Sequence, residues 1–207
     1  MQLRFQTGHT GGDYVTGELW RQASLVRCPL HSRGGCGFAR HGTYVRVAPP
    51  GTRIARWYCP QGHRTFSLLP DHLAARLRGT LTQVEEVVLT VERARSVEDA
   101  ADRLRPDGES LASAVRWVRR RLRPVRLLLP TVVAMFALQL EGCAPSISGL
   151  RQRLGCTDVL MHLRSMASAH LGALITPLGF ARRSKTGGDR ARAVQQSLGP
   201  DPPIAPR

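Results

Sequence analysis

The sequence predicts an α+β chain, with a small cysteine- and histidine-flanked β-hairpin module followed by a mostly helical domain. Three observations carry this. Cys28 and Cys36 precede a β-rich stretch, and Cys59 and His63 follow it. "TYVRV" (43–47) and "RIARWY" (53–58) are rich in β-branched and aromatic residues, with the turn chemistry "APPGT" between them. From Asp71 onward apolar residues recur at helical spacing, and strand-length alternation does not return.

The elements follow in order. Residues 1–24 are Gly-rich and without period, which predicts a loose N-terminal arm. Residues 25–70 form the β-module, with "RTFSLL" as a third strand. Residues 71–181 form the helical domain. Leu73, Leu77, Leu81, Val84, Val88 and Val91 step by four or three, one apolar face of a helix that Gly79 weakens. Ser96 opens the next helix, with Asp99 where a capping box wants an acid. "RPDGE" breaks the chain, and "SLASAVRWVRRRLR" (110–123) follows with Leu111, Ala114, Val115, Val118 and Leu122 on one face. Pro130 fits the first turn of a buried helix reaching about Leu140. "SISGLRQRL" and "DVLMHLRSMASAHLGAL" give two more helices. Residues 182–207 lack apolar period and predict a disordered tail.

Composition narrows the function. Of 207 residues 42% are hydrophobic, enough for a core, and only 5% are aromatic. The net charge is +15, carried almost wholly by arginine, with Lys185 the sole lysine. It is segmented: +8 over residues 1–84, −4 over 85–109 and +11 over 110–207. Such a surplus favours a polyanionic partner, most simply nucleic acid. The longest apolar run, "LLLPTVVAMFAL" (127–138), is too short to span a bilayer. An odd count of five cysteines and an N-terminus without an apolar signal core fit a reducing cytoplasm, and metal binding rather than disulfides.

A hairpin between two ligand pairs brings them together, because its strand ends are adjacent. Cys28, Cys36, Cys59 and His63 would then form a closed, structural zinc site. Pro60 and Gly62 shape a tight knuckle beside Cys59. His31 makes a Cys-x-x-His pair with Cys28 and is the alternative ligand, competing with Cys36, whose thiolate is preferred. Cys143 and Cys156 lie in helical territory and read as ordinary buried thiols.

"CP…GCGFARHGTYVR…GTRIARWYCPQGHRTFSLLP" resembles the N-terminal zinc-ribbon region of bacterial insertion-sequence transposases and related transposon-encoded proteins. Their pattern is a Cys-Pro knuckle, two strands carrying Gly, Tyr, Arg and Cys, then a helix-turn-helix. The resemblance covers roughly residues 28–123. This chain departs from it in the stretched "CPLHSRGGC" and in pairing Cys59 with His63. The resemblance implies a helix-turn-helix at about 96–123, and "AVRWVRRR" resembles the DNA-reading helix of such proteins.

Spacing agrees, since the apolar face of residues 110–123 leaves Arg116, Arg119, Arg120 and Arg123 for the major groove. Arg46, Arg53, Arg56 and Arg64, on or beside the hairpin, are expected on the DNA backbone. Residues 146–164 would also fit a second helix-turn-helix with Arg151, Arg153 and Arg164 outward, although plain helical packing is the preferred reading. No carboxylate set for metal-assisted phosphoryl transfer stands out, no Gly-rich phosphate loop is present, and His162 and His170 lack i, i+4 spacing, so no enzymatic activity is expected.

The expected function is sequence-dependent binding of double-stranded DNA by a transposase-related accessory or regulatory protein, or by a transposase fragment without its catalytic domain. A separate transposase subunit or a second copy of the chain would be its protein partner, with no membrane involved. The alternatives are an RNA-binding zinc-ribbon protein and a protein–protein adaptor dimerising through the Leu-rich 73–91 helix.

Overall fold

The computed structural model describes residues 1–181, so the expected tail at 182–207, with Asp189 and Asp201, lies outside the described residues. The architecture is α+β. Strands β1 (Gln2–Phe5), β2 (Ala39–Val45), β3 (Arg53–Cys59) and β4 (Arg64–Pro70) form one sheet in the order β1-β4-β3-β2. Strands β2, β3 and β4 make an antiparallel meander, with β3 and β4 on the expected runs and β2 at Ala39–Val45 rather than 43–47. Strand β1 adds in parallel to β4, pairing Gln2 with Ser67 through Phe5 with Pro70.

Alternation along β3 sends Ala55, Trp57 and Cys59 to one face, where they pack with Phe66 and Leu68 of β4. The N-terminal residues complete that core. Helix α1 (Gly11–Thr16) buries Tyr14, whose hydroxyl donates to the Arg53 carbonyl at 2.8 Å, and a 3-10 turn at Leu19–Arg21 buries Trp20. Residues 1–24 are therefore not a loose arm. Gly11 and Gly12 open α1, Gly17 ends it, and Tyr14 and Trp20 fill the core.

The helical part consists of α2 (Leu81–Arg93), α3 (Val97–Leu104), α4 (Leu111–Met135), α5 (Ile147–Leu154) and α6 (Val159–Met166). Helix α2 begins at Leu81 rather than near Leu73. Gly79 sits at φ +95°, and Thr80 with Gln83 forms a reciprocal capping box. Leu73 instead packs with Ile54 and Leu69 against the second face of the sheet. Leu73, Leu81, Val84, Val88 and Val91 are all buried within this chain, so the dimer seam expected on that face is not presented.

Helix α4 runs unbroken through Pro124 and Pro130, where a new helix start was expected. A proline in a helix interior costs about 3 kcal/mol. Burial of Val125, Leu128, Leu129 and Val132, each contributing about 1.5–3 kcal/mol, outweighs two such costs.

Two acids of α2, two helical turns apart, cap other helices. Glu92 accepts from the Ile147 and Ser148 N–H groups at the start of α5. Buried Glu85 accepts from the Leu160 N–H of α6 and from Arg151. The stretch 71–79 between sheet and helices is held by guanidiniums. Arg164, 1% exposed, donates to the carbonyls of Asp71, Leu73, Pro177 and Leu178. Arg164, which a second helix-turn-helix would turn outward, is thus a buried clamp, and Arg151 is ion-paired with Glu85. Arg153 donates to the Gln139 carbonyl.

Candidate metal centre

The chain turns sharply after Cys28. The His31 N–H donates to the Cys28 carbonyl at 3.2 Å, closing one turn that faces both side chains inward. Gly34 and Gly35 follow at φ +79° and +76°, a left-handed pair that a residue with a Cβ strongly disfavours. This pair brings Cys36 back to the same point. From the other side β3 delivers Cys59 at its last residue, on the face of Trp57 and opposite the face of Tyr58.

Cys28, His31, Cys36 and Cys59 each offer one ligand atom, and these atoms all lie within 4.8 Å of one another. The three thiols are buried. His31 Nδ1 stands 3.6 Å from Cys28 Sγ and 3.4 Å from Cys59 Sγ. A tetrahedral ion bound at about 2.3 Å by sulfur and about 2.0 Å by nitrogen implies S···N edges of about 3.5 Å. The donor set therefore has the size of a metal tetrahedron. Backbone amides support it, since Leu30 N–H donates to Cys28 Sγ at 3.4 Å and Gly62 N–H to Cys59 Sγ at 3.2 Å.

Electrostatics point the same way. Burial works against ionisation of Cys28, yet the Leu30 amide, the His31 ring and amide and the Cys59 thiol outweigh it and bring its pKa to about 6. Cys59 is pushed up by burial and by the neighbouring Cys28 and Cys36 thiols, against the Gly62 amide. Thiols this close cannot all be thiolates without a cation among them, and a divalent ion supplies that charge. The four residues could hold a metal ion.

The sequence expectation is corrected at one ligand. His63 is exposed and sits at φ +45°, and its Nδ1 lies 3.5 Å from the Tyr58 hydroxyl. The 60–63 turn, closed by His63 N–H on the Pro60 carbonyl, leaves it on the Tyr58 side of the sheet while Cys59 faces the other way. His31 stands in its place, and it joins Cys36 rather than replacing it. Cys143 and Cys156 stand outside the cluster and are partly rather than fully buried.

The expected DNA-contacting arginines divide. Arg116, Arg119, Arg120 and Arg123 are all exposed on α4, and of these only Arg119 is ion-paired among the described residues, with Glu98 at 2.8 Å. Arg126 extends the same exposed stripe. In the sheet, Arg53 and Arg64 are exposed, and Arg56 lies partly buried over Tyr44, its guanidinium carbon 5.7 Å from the ring centre. Arg46 does not face solvent as expected. Its guanidinium donates to the Ala74 and Leu77 carbonyls, and burial lowers its pKa. Sequence reading missed Arg40, which donates to the Trp20 and Arg21 carbonyls and covers Trp57 at 5.4 Å.

Comparison with family models, with curated proteins and with solved structures returns no match. Among the described residues no helix is long and apolar enough to cross a membrane.

Proposed function

We propose that this chain is a DNA-binding protein of mobile-element type, with a structural zinc ion in the ribbon and α4 as the duplex reader. The observation that carries the reading is the basic stripe of α4. Arg116, Arg119, Arg120, Arg123 and Arg126 lie within about a third of the helix circumference and span ~15 Å along its axis. The opposite side buries Val115, Val118, Leu122 and Val125 against the rest of the domain. A rigid helix with one apolar side and one arginine side suits the major groove, where arginine meets guanine edges and phosphates. Helix α3, the 105–110 turn and α4 supply the helix-turn-helix, and α2 packs against both.

Three thiolates and one imidazole suit zinc. With all four positions held by protein, the ion's part is to fix the ribbon, which is too small to hold itself by apolar burial alone. Cys59 ends β3 and Cys36 lies three residues before β2, so the ion would tie β2 to β3, the strand that presents Arg53 and Arg56, beside the turn that leads to Arg64 at the start of β4. The reading assigns the chain an accessory or regulatory part beside a separate transposase subunit, with no catalytic residue of its own.

One observation favours a second reading. Tyr58 lies on the sheet face opposite Trp57, with the ring of exposed His41 5.6 Å away, a pair of rings suited to stacking the bases of single-stranded RNA.

A salt titration on duplex DNA and on single-stranded RNA decides between them. Duplex should bind more tightly, with log K falling steeply against log salt. Replacing Arg116, Arg119, Arg120 and Arg123 by alanine should make that slope shallower by about 0.9 per lost phosphate contact. Equal duplex binding by the variant would remove α4 as the reader, and tighter RNA binding would favour the sheet.

A further inference from the structure

Between the 105–110 turn and α4 opens a groove of about 670 Å3. Trp117 lines it. This tryptophan is 39% exposed, whereas Trp20 and Trp57 are 7% and 5% exposed. Its indole is held from one side by Arg121, whose guanidinium carbon lies 4.0 Å from the ring centre and whose Nη2 donates to the Arg78 carbonyl. A ring fixed on one face by a cation leaves its other face as a preset aromatic platform.

Arg116 and Arg120 also line the groove, one helical turn apart. Arg116 donates only to Ser113 Oγ at 3.4 Å, and Arg120 makes no hydrogen bond or ion pair among the described residues. Arg105 is already engaged by Asp102 and by the Glu109 carbonyl. The Glu109 side chain lines the groove as an exposed acid.

This combination selects its ligand. An apolar molecule would desolvate two unpaired guanidiniums. A bare anion would leave the indole unused. A continuous paired backbone would bring its charge against Glu109. A single planar base joined to a phosphate uses all the groups, with stacking on Trp117, charge-assisted hydrogen bonds to Arg116 and Arg120, and a carboxylate acceptor for base N–H at Glu109.

We propose that the groove binds one nucleotide unit whose base is free of pairing, either a free nucleotide or an unpaired residue in a strand. Arg119, Arg123 and Arg126 do not line it, so the groove shares only Arg116 and Arg120 with the α4 stripe assigned to a duplex. The proposal does not rest on duplex binding.

The test uses the fluorescence of the full-length protein, in which Trp117 is the accessible tryptophan. The probes are AMP, adenosine, inorganic phosphate and a short single strand. AMP or the single strand should quench saturably and shield the indole from acrylamide, with adenosine and phosphate each weaker by at least about tenfold. Response to the strand but not to AMP assigns the source to unpaired residues, and response to AMP assigns it to free nucleotide as well. Trp117→Tyr should keep binding of a fluorescent nucleotide, while Trp117→Ala, Arg116→Ala and Arg120→Ala should each weaken it about tenfold with unchanged circular dichroism. Absence of saturable quenching by both AMP and the single strand, or phosphate binding as tightly as AMP, would overturn the proposal. The wild-type comparison of AMP with phosphate decides even if an alanine variant does not fold.

Discussion

Arg46 and Arg164 reach the same linker from different parts of the chain. Arg46, just beyond β2, donates to Ala74 and Leu77, and Arg164, from α6, donates to Asp71 and Leu73. Between them they satisfy four carbonyls of this segment, while the Leu81 N–H and the Thr176 hydroxyl serve those of His72 and Ala75. Arg164→Met should destabilise the protein by at least about 3 kcal/mol, because four carbonyls lose their donor. Arg164→Lys should not restore it, since a point charge cannot reproduce the planar fork. Arg46→Met should cost about 1–3 kcal/mol, with duplex affinity unchanged once the folded fraction is matched. Urea unfolding with a parallel binding titration checks all three.

His72 gives the fold a pH dependence. Its ring is buried 5.4 Å from the Tyr14 ring, and neither nitrogen has a partner. Burial lowers its pKa to about 4, with Arg164 and Arg46 adding to the effect and Asp71 opposing it. The unfolded value is about 6.5, so between the two the folded state binds fewer protons. The contribution is complete above about pH 6.5 and falls away toward pH 4, by up to about 3 kcal/mol. Unfolding midpoints of wild type and His72→Phe at pH 7.5 and 4.5 should diverge, the variant losing less on acidification. Comparing the two cancels the acid sensitivity that any metal site shares.

Helix α2 should be sensitive at two acids that look solvent-facing in the sequence. Glu92→Ala removes the acceptor of the Ile147 and Ser148 N–H groups, leaves Ser146 as the N-cap of α5, and should cost about 1 kcal/mol. Glu85→Ala removes the cap of α6 and strands Arg151, and should cost about 2–3 kcal/mol, less than a fully buried pair because Arg151 is partly exposed. Thermal unfolding of the two variants checks the order.

These residues show what was legible in the sequence. Strands β2, β3 and β4 announce themselves through β-branched and aromatic runs. Strand β1 has four residues and a long-range parallel partner, so no local pattern marks it. Gly79, seen as a weak point, is a true helix boundary, whereas Pro124 and Pro130 are not, because apolar burial outweighs their cost. Arg46 and Arg164 read as outward charges, since composition carries no information on which carbonyls surround a side chain.

The metal cluster was nearly legible. Cys28, Cys36 and Cys59 were expected together, and the hairpin does join them. Cys-x-x-His and Cys-x-x-x-His are both ordinary ligand spacings, but the sequence sets His31 against Cys36 rather than against His63. The decisive signal was the Gly34–Gly35 pair, which lets one short loop return after His31 and present three ligands.

Metal content of protein purified without chelator, measured on wild type, His31→Ala and His63→Ala, tests the central claim most directly. The account predicts about one zinc per chain in wild type, retention in His63→Ala, and loss or at least about tenfold weaker binding in His31→Ala. Folded wild-type protein free of metal, or metal lost with His63 and kept without His31, would contradict it.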